Sequence, residues 1–425
     1  MKFVLASYGT RGDVEPCAAI GRELLRRGHD VRMAVAPDLV RFVESVGLAA
    51  VACGPDPRTW QDLHRDLLTH LRKFWKIQDL IRLRREDFEL FTQCWEELST
   101  ALMSLADGAD LLLTGVIAEQ TAANVAEYYD IPLATPHTFP MRPNGQLVPT
   151  LPAPLTRSAM TVSEWLGWPM TKKLEDAQRH ELGLPKATGP SSRRIADRGS
   201  LEIQAYDEVC FPGLAAEWAK FDGRRPFVGA LTMESPTEAD DEVASWIAAG
   251  TPPIFFGFGS MSVESVADTV AMVSAACAQL GERALVCGGW SDFSEASHFE
   301  HVKVVGAMSY AAAFPACRAV VHHGGGGTTA AGLRAGVPTL ILSTFGEQAI
   351  WGAAVKRLKV GTVRRLSTTT RESLVTDLRT ILAPQCVARA REFATQITKP
   401  AESVAAATDL VEDFAARGRA ALQGG

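Results

Sequence analysis

AVVHHGGGGTTAAGLRAG, residues 319–336, is the stretch on which the fold turns. AVVHH is apolar and β-branched, the composition of a strand buried in a parallel sheet. TTAAGLRAG opens and continues a helix. Gly324, Gly325, Gly326 and Gly327 therefore fill a strand-to-helix turn. Four consecutive glycines cost conformational entropy on folding, so something must use a bare backbone there. At such a turn the backbone N–H groups point outward, and with the helix dipole they make an anion site. Thr328 and Thr329 add hydroxyl donors, and His323 can give a hydrogen bond or a positive charge. A diphosphate fits this inventory. The competing reading is a tight packing turn over a buried, satisfied histidine.

Two phosphate chemistries compete at the same residues. Gly325, Gly327 and Ala330 satisfy the G-x-G-x-x-G/A pattern, and Glu347 follows about twenty residues on. That pattern would suggest an NAD-dependent dehydrogenase. Against it, the motif sits in the last third of the chain, behind the fourth strand of its domain, whereas such fingerprints sit on a first strand. No lysine follows the glycines, so the stretch is not a P-loop.

Outward from this motif the strand rhythm repeats. PPIFFGFGS (252–260) is a strand ending in a Gly-Ser turn; RALVCGGW, VKVVGAM and TLILSTF continue the series. The first half has the same plan. FVLAS (3–7) is a buried strand, PCAAIGRELLRR (16–27) has helical spacing, and DVRMAVAP is a second strand. DLLLTG (110–115) and IPLATPH (131–137) follow, with a helix over 119–129 between them. This predicts two α/β domains with doubly wound parallel sheets, and a ligand in the cleft between their strand C-terminal ends. Residues 60–104 interrupt the pattern with a helical region carrying Arg72, Lys73, Lys76, Arg82, Arg84 and Arg85. It reads either as a solvated helix face or as an insert over a substrate mouth near a membrane. Residues 140–200 read as Pro-rich and irregular. The Pro, Ser, Thr and acidic residues that begin at 224 read as a linker, and a last amphipathic helix spans about 401–416.

The totals exclude some classes. The 425 residues are 47% hydrophobic and 22% charged, enough for sizeable cores. A net charge of −6 argues against a nucleic-acid partner. Eight cysteines lie far apart with no CxxC pair, which predicts reduced thiols and a cytoplasmic protein. The N-terminal apolar run is too short for a signal peptide, and no stretch approaches the ~20 apolar residues of a membrane span.

YGTRGDVEP (8–16) joins the first strand to the first helix. Gly9 and Gly12 allow a tight turn. Arg11 reads as a phosphate contact or a structural ion pair. Asp13, ahead of a helix beginning near Pro16, reads as an N-cap or as a general base on the sheet's C-terminal edge. His137 and Phe139, in TPHTF, read as acceptor-pocket residues or as ordinary loop packing.

GTRGDVEP, FGFGS and HHGGGGTTAAGLRAGVPTLILSTFGEQ together resemble a GT-B glycosyltransferase of family 1. The branch is the one containing glycopeptide-antibiotic, bacterial lipid and sterol glycosyltransferases. The resemblance implies two facing Rossmann-like domains: an acceptor-binding domain over 1–223, a linker over 224–240, a nucleotide-sugar domain over 241–398, and a helix over 399–425 that crosses back. It places Asp13 as the catalytic base. It sets Thr10, Arg11, Gly12, Ser260, His323, the glycines 324–327 and Thr328 at the diphosphate. Trp290 and Met308 fall at the donor base, and Glu347 and Gln348 at the donor sugar. Relatives usually have Asp-Gln where this chain has Glu347-Gln348, an alanine or serine near Gly326, and often Gln where Ala311 stands. The implied reaction is inverting transfer from a dTDP- or UDP-sugar to an apolar natural product, glycolipid or sterol, with no cofactor and no metal. A catalytically silent helper of this fold, and a peripheral membrane contact, stay open.

Overall fold

The computed structural model describes residues 1–57, 59, 77–148, 150–221, 223–234, 236–257, 259, 266–288, 299–344 and 346–423. The chain divides into two compact units. Unit 1 comprises Met1–Ala205, Gly213–Thr232 and Ala401–Gly425; unit 2 comprises Tyr206–Pro212 and Met233–Pro400.

Unit 1 is built on β1 (Lys2–Ser7), β2 (Asp30–Val35), β3 (Ala49–Ala52), β4 (Leu111–Thr114), β5 (Leu133–His137) and β6 (Leu201–Gln204). Their order across the sheet is β3-β2-β1-β4-β5-β6, and each strand runs parallel to its neighbours. The helices that matter below are α1 (Arg11–Arg26), α2 (Ile77–Ala106), α3 (Glu119–Tyr129) and α4 (Ala153–Glu181). Residues 3–7 of β1 are all buried, as a strand covered on both faces requires. Val4, Ala6 and Leu112 of the sheet pack against Leu98 and Leu102 of α2 and Ala122 and Val125 of α3.

Unit 2 repeats the plan with β7 (Ile254–Gly257), β8 (Ala284–Cys287), β9 (Val302–Val305), β10 (Ala319–His322), β11 (Thr339–Ser343) and β12 (Gly361–Arg365). The order is β12-β11-β10-β7-β8-β9, again parallel. Strand alternation feeds two cores. Ile254, Phe256, Val286 and Val321 face one layer, while Phe255, Leu285 and Val320 face the other. The glycine motif lies between β10 and α5 (Gly326–Ala335); α6 (Gly346–Arg357) follows β11. The chain closes with α7 (Pro400–Gln423). In unit 1, α7 meets the sheet's other end: Arg27 Nη1 pairs with Asp409 at 2.6 Å, and His29 Nε2 lies 2.5 Å from Glu412.

Three readings change. The first helix begins at Arg11, five residues before Pro16, so Thr10 and not Asp13 is its N-cap. Residues 140–200 are not irregular, because 29 of them form α4. Pro154 stands in its first turn, where proline is tolerated, and the helix continues through Pro169. The period was hidden because its inward face is polar: Thr156, Glu175, Gln178 and Arg179 are buried. Residues 206–212 join unit 2, where Tyr206 and Phe211 pack edge-on against Trp351, at 6.2 and 5.2 Å between ring centroids. In the basic region, Arg82 and Arg85 pair one turn on with Glu86 and Glu89, as on a solvated helix face. Arg72, Lys73 and Lys76 lie outside the described residues.

Candidate functional site

In a doubly wound sheet the strand order reverses at one point, and the loops leaving the two central strands flank a crevice there. In unit 1 these strands are β1 and β4. Gly9, at φ 120°, carries the chain out of β1 in a conformation that other residues avoid. A β-carbon there would lie 2.5 Å from Asp13 Oδ2 and 2.9 Å from Ile117 Cδ1. Asp13 occupies the third position of α1 and reaches back to the N-cap. Its Oδ2 accepts the Thr10 backbone N–H at 2.7 Å and the Thr10 hydroxyl at 2.9 Å. Ser7 Oγ donates to the Asp13 carbonyl at 2.8 Å. Burial pushes the Asp13 carboxyl above the usual range, and the Thr10 hydrogen bonds pull it back in part. The result is a fixed, weakly acidic carboxylate at the switch point, suited to accepting a proton.

The neighbouring side chains are otherwise engaged. Arg11 pairs with Glu15 at 3.1 Å, and its guanidinium stands 4.7 Å over the Phe42 ring. Gly12 has no crowding to relieve, since its nearest contact would be Thr10 Oγ1 at 3.7 Å.

His137 does not line an open pocket. It is fully buried at the end of β5, with Nε2 3.1 Å from Glu119 Oε1. Arg142 Nη2 reaches Glu119 Oε1 at 2.7 Å, and its Nε donates to Glu202. Arg225 Nε meets the other Glu202 oxygen at 2.6 Å. Burial would raise the Glu119 carboxyl, but the Arg142 charge and the His137 hydrogen bond outweigh it and hold it down to about 2. Glu119, His137 and Glu202 each offer a metal-ligand atom, all within 4.8 Å of one another. Arg142 donates to both carboxylates, so the positive charge a metal would bring is already there. Phe139, two residues on, is half-buried.

In unit 2 the central strands are β7 and β10. Their exits meet at one side chain. A β-carbon on Gly259 would lie 2.7 Å from His323 Cε1, and one on Gly325 would lie 2.7 Å from His323 Nε2. The imidazole of His323 is thus set between two bare backbones, with its Nδ1 buried and without a hydrogen-bond partner among the described residues. Burial lowers it to about 4, so it is neutral at pH 7 and offers an N–H rather than a charge. His322 points inward: it is buried, lowered to about 3, and its Nδ1 accepts the Gly324 N–H at 3.0 Å.

Gly325 caps α5, which leaves the N–H groups of Gly326, Gly327 and Thr328 without intrahelical acceptors. Thr329 is buried and spends its hydroxyl on the Gly325 carbonyl at 2.9 Å, so it is not an outward donor. Thr328 is half-buried, and its hydroxyl makes no hydrogen bond with another described residue. Gly324, at φ 100°, brings β11 and α6 close: a β-carbon there would meet Ile341 Cγ2 at 2.7 Å and Gln348 Cα at 3.2 Å. Gln348 is buried, with Oε1 accepting the Thr344 N–H and hydroxyl, both at 2.8 Å. Glu347 beside it is half-buried.

Sequence reasoning passed over Gly259, although the FGFGS motif held its signal one residue before Ser260. It also passed over Thr344 and Arg142, which carry no local pattern. Met308 is buried in the core with Phe255, Leu285 and Phe314 instead of standing at a surface. Ser260 and Trp290 lie outside the described residues.

Comparison with known proteins bears on both units. Residues 3–101 match the glycosyltransferase family 28 N-terminal domain, and residues 293–416 match the erythromycin biosynthesis protein CIII-like C-terminal domain. A protein of Mycobacterium tuberculosis named as an uncharacterized glycosyltransferase is 62% identical over 421 residues, covering 99% of this chain and 100% of its own. A sterol 3-beta-glucosyltransferase of Arabidopsis thaliana is 28% identical, over 96% of this chain and 67% of its own. Among solved structures, the kitacinnamycin glycosyltransferase superposes with a TM-score of 0.71 at 18% identity, covering 97% of this chain and 98% of its own. Glycosyltransferase VinC in complex with dTDP gives 0.65 at 16%, covering 98% and 100%. With this identity along nearly its whole length, and with two parallel sheets of matching strand order, the chain belongs to the GT-B glycosyltransferases.

Proposed function

We propose that the chain moves a sugar from a dTDP- or UDP-linked donor to a hydroxyl of an apolar acceptor, with inversion at the anomeric carbon. Asp13 takes the acceptor's proton as its oxygen attacks that carbon. The bond from the carbon to the diphosphate oxygen breaks, and the diphosphate leaves with the electron pair. Its growing charge falls on the free N–H groups at the start of α5, the Thr328 hydroxyl and the His323 N–H, a stabilisation matched to where charge develops. These donors supply the positive field, so the reading calls for no metal. Glu347 and Gln348 hold the sugar hydroxyls. The similarity to a sterol glucosyltransferase supports an apolar acceptor, with a natural product or a glycolipid as the other candidates. The dTDP-bound relative of the same fold supports dTDP ahead of UDP. Eight cysteines outside any disulfide support a cytoplasmic site of action.

One observation carries this reading: His323 stands between Gly259 and Gly325 at the mouth of a helix whose first donors are open. Calorimetric titration with dTDP, UDP and NAD⁺ tests it. Binding of either diphosphate, lost in His323→Ala, is the expected result. Binding of NAD⁺ alone would sink it, and tight diphosphate binding without any turnover would favour the silent helper.

A further inference from the structure

α4 is built inside out. Its C-terminal half turns polar side chains inward: Gln178 accepts from Trp95 Nε1 at 3.1 Å and from Asn124 Nδ2 at 2.7 Å, and Arg179 pairs with Glu127 at 2.7 Å. Glu175, also buried, takes Arg194 at 2.7 Å. Its N-terminal half turns apolar side chains outward. Leu155 is 61% exposed, Val162 54%, Leu166 74% and Met170 76%, with Trp165 at the flank. Spacings of seven, four and four residues put these four on one face. That face runs ~22 Å at 1.5 Å per residue, and exposed Leu151 extends it upstream. Arg157 is drawn aside to Glu217 at 2.7 Å, and Glu164 is half-buried.

Water does not account for such a face, because a solvated helix turns its charges outward. The border says what does. Lys173 continues the apolar stripe one turn past Met170 and is exposed, and Arg193 stands 5.8 Å over the Trp165 ring. Neither makes an ion pair with a described residue. An apolar face edged by tryptophan and free cations is the pattern of a helix lying in a lipid–water interface.

We propose that the outer face of α4 docks on an anionic lipid bilayer, with Leu155, Val162, Leu166 and Met170 at the headgroup–acyl boundary and Lys173 and Arg193 at lipid phosphates. The surface is independent of the transfer chemistry, and its test reads binding rather than turnover. The full chain is co-sedimented with vesicles of phosphatidylcholine alone and of phosphatidylcholine with phosphatidylglycerol, with Trp fluorescence as a second readout. The expected result is binding favoured by phosphatidylglycerol and weakened by salt. Leu166→Glu and Met170→Glu should each reduce partitioning about ten-fold, with an unchanged melting temperature because the side chains are exposed. Lys173→Gln, which leaves the apolar face whole, should lower the preference for phosphatidylglycerol. Three results would overturn the proposal: wild-type protein left in the supernatant, equal binding by the variants, or a wild-type dimer that Leu166→Glu converts to monomer. Binding of a monomeric short-chain lysolipid without vesicle binding would overturn it too, by making the face a cleft for a soluble amphiphile.

Discussion

Gly9 makes room for Asp13: the carboxylate oxygen Oδ2 lies 2.5 Å from where a β-carbon on residue 9 would be, too close for both. Gly9 also holds φ 120°. Gly9→Ala therefore meets strain and a clash together, and the clash falls on the proposed base. A displacement near 1 Å of a reacting group can cost on the order of a hundred-fold in rate. We expect a kcat loss of that order, with a cost of about 1–3 kcal/mol in stability for the strained backbone. Initial rates on a matched donor and acceptor, with a thermal melt beside them, check both. A wild-type kcat in Gly9→Ala would mean that the carboxylate's position is not what the glycine protects.

Asp13→Asn keeps the shape and removes the base. General base catalysis contributes roughly 10²–10⁴-fold, and turnover should fall by that factor. Affinity for dTDP or UDP should stay unchanged, because the Asp13 carboxylate is not among the groups proposed to hold the diphosphate. The base works only when ionised, so the wild-type rate should fall as pH drops through the raised Asp13 pKa. Thr10→Val deletes the hydroxyl that stabilises the ionised form, so its acid limb should move to higher pH. A limb that stays in place would separate Thr10 from the base.

The switch points were legible because they rest on short motifs of unusual composition. Four glycines after a β-branched strand allow little else, and FGFGS and GTRGD mark the other strand exits. What escaped depended on contacts distant in sequence. Nothing in TPHTF says that His137 is enclosed by Glu119, Arg142 and Glu202, which come from three other places in the chain. Met308 falls near the expected donor-base region, yet its side chain turns into a core built from four strands. α4 escaped for a different reason: its apolar face points outward, so a search for core-facing periodicity finds polar residues where apolar ones should be.

The histidine pair should make the protein acid-sensitive in a defined window. His322 and His323 sit at about 3 and about 4, against 6.5 for the ordinary group. Between those values the unfolded chain holds protons that the folded chain does not. Stability should therefore fall as pH drops below 6.5, by up to about 1.4 kcal/mol per pH unit for each ring. His323→Ala removes one titrating group, so its stability-versus-pH slope between pH 6 and pH 5, measured by denaturant melts, should be shallower by about one proton. Equal slopes would mean that His323 is freely protonated in the folded chain. Bound diphosphate should lessen the wild-type slope by favouring the protonated ring.

The buried charges around His137 give the sharpest sign test. In the wild type Arg142 holds Glu119 down to about 2, so this carboxylate contributes stability that is complete above pH 4.5 and lost as pH falls towards 2. Arg142→Met leaves Glu119 and Glu202 buried with their shared cation gone. Breaking a buried pair from one side costs about 3–5 kcal/mol at neutral pH. The desolvation that Arg142 had outweighed then rules, and the Glu119 pKa should rise above its ordinary value. Protonation relieves the variant where it harms the wild type. The stability lost on substitution should therefore shrink as pH is lowered from 7 to 5, although both proteins share the acid penalty of His322 and His323. Replacing Glu119 by Gln in the Arg142→Met background should recover part of the loss at pH 7 and remove that pH dependence. A loss that is the same at pH 7 and pH 5 would show that Arg142 holds this region by packing alone, with no electrostatic part.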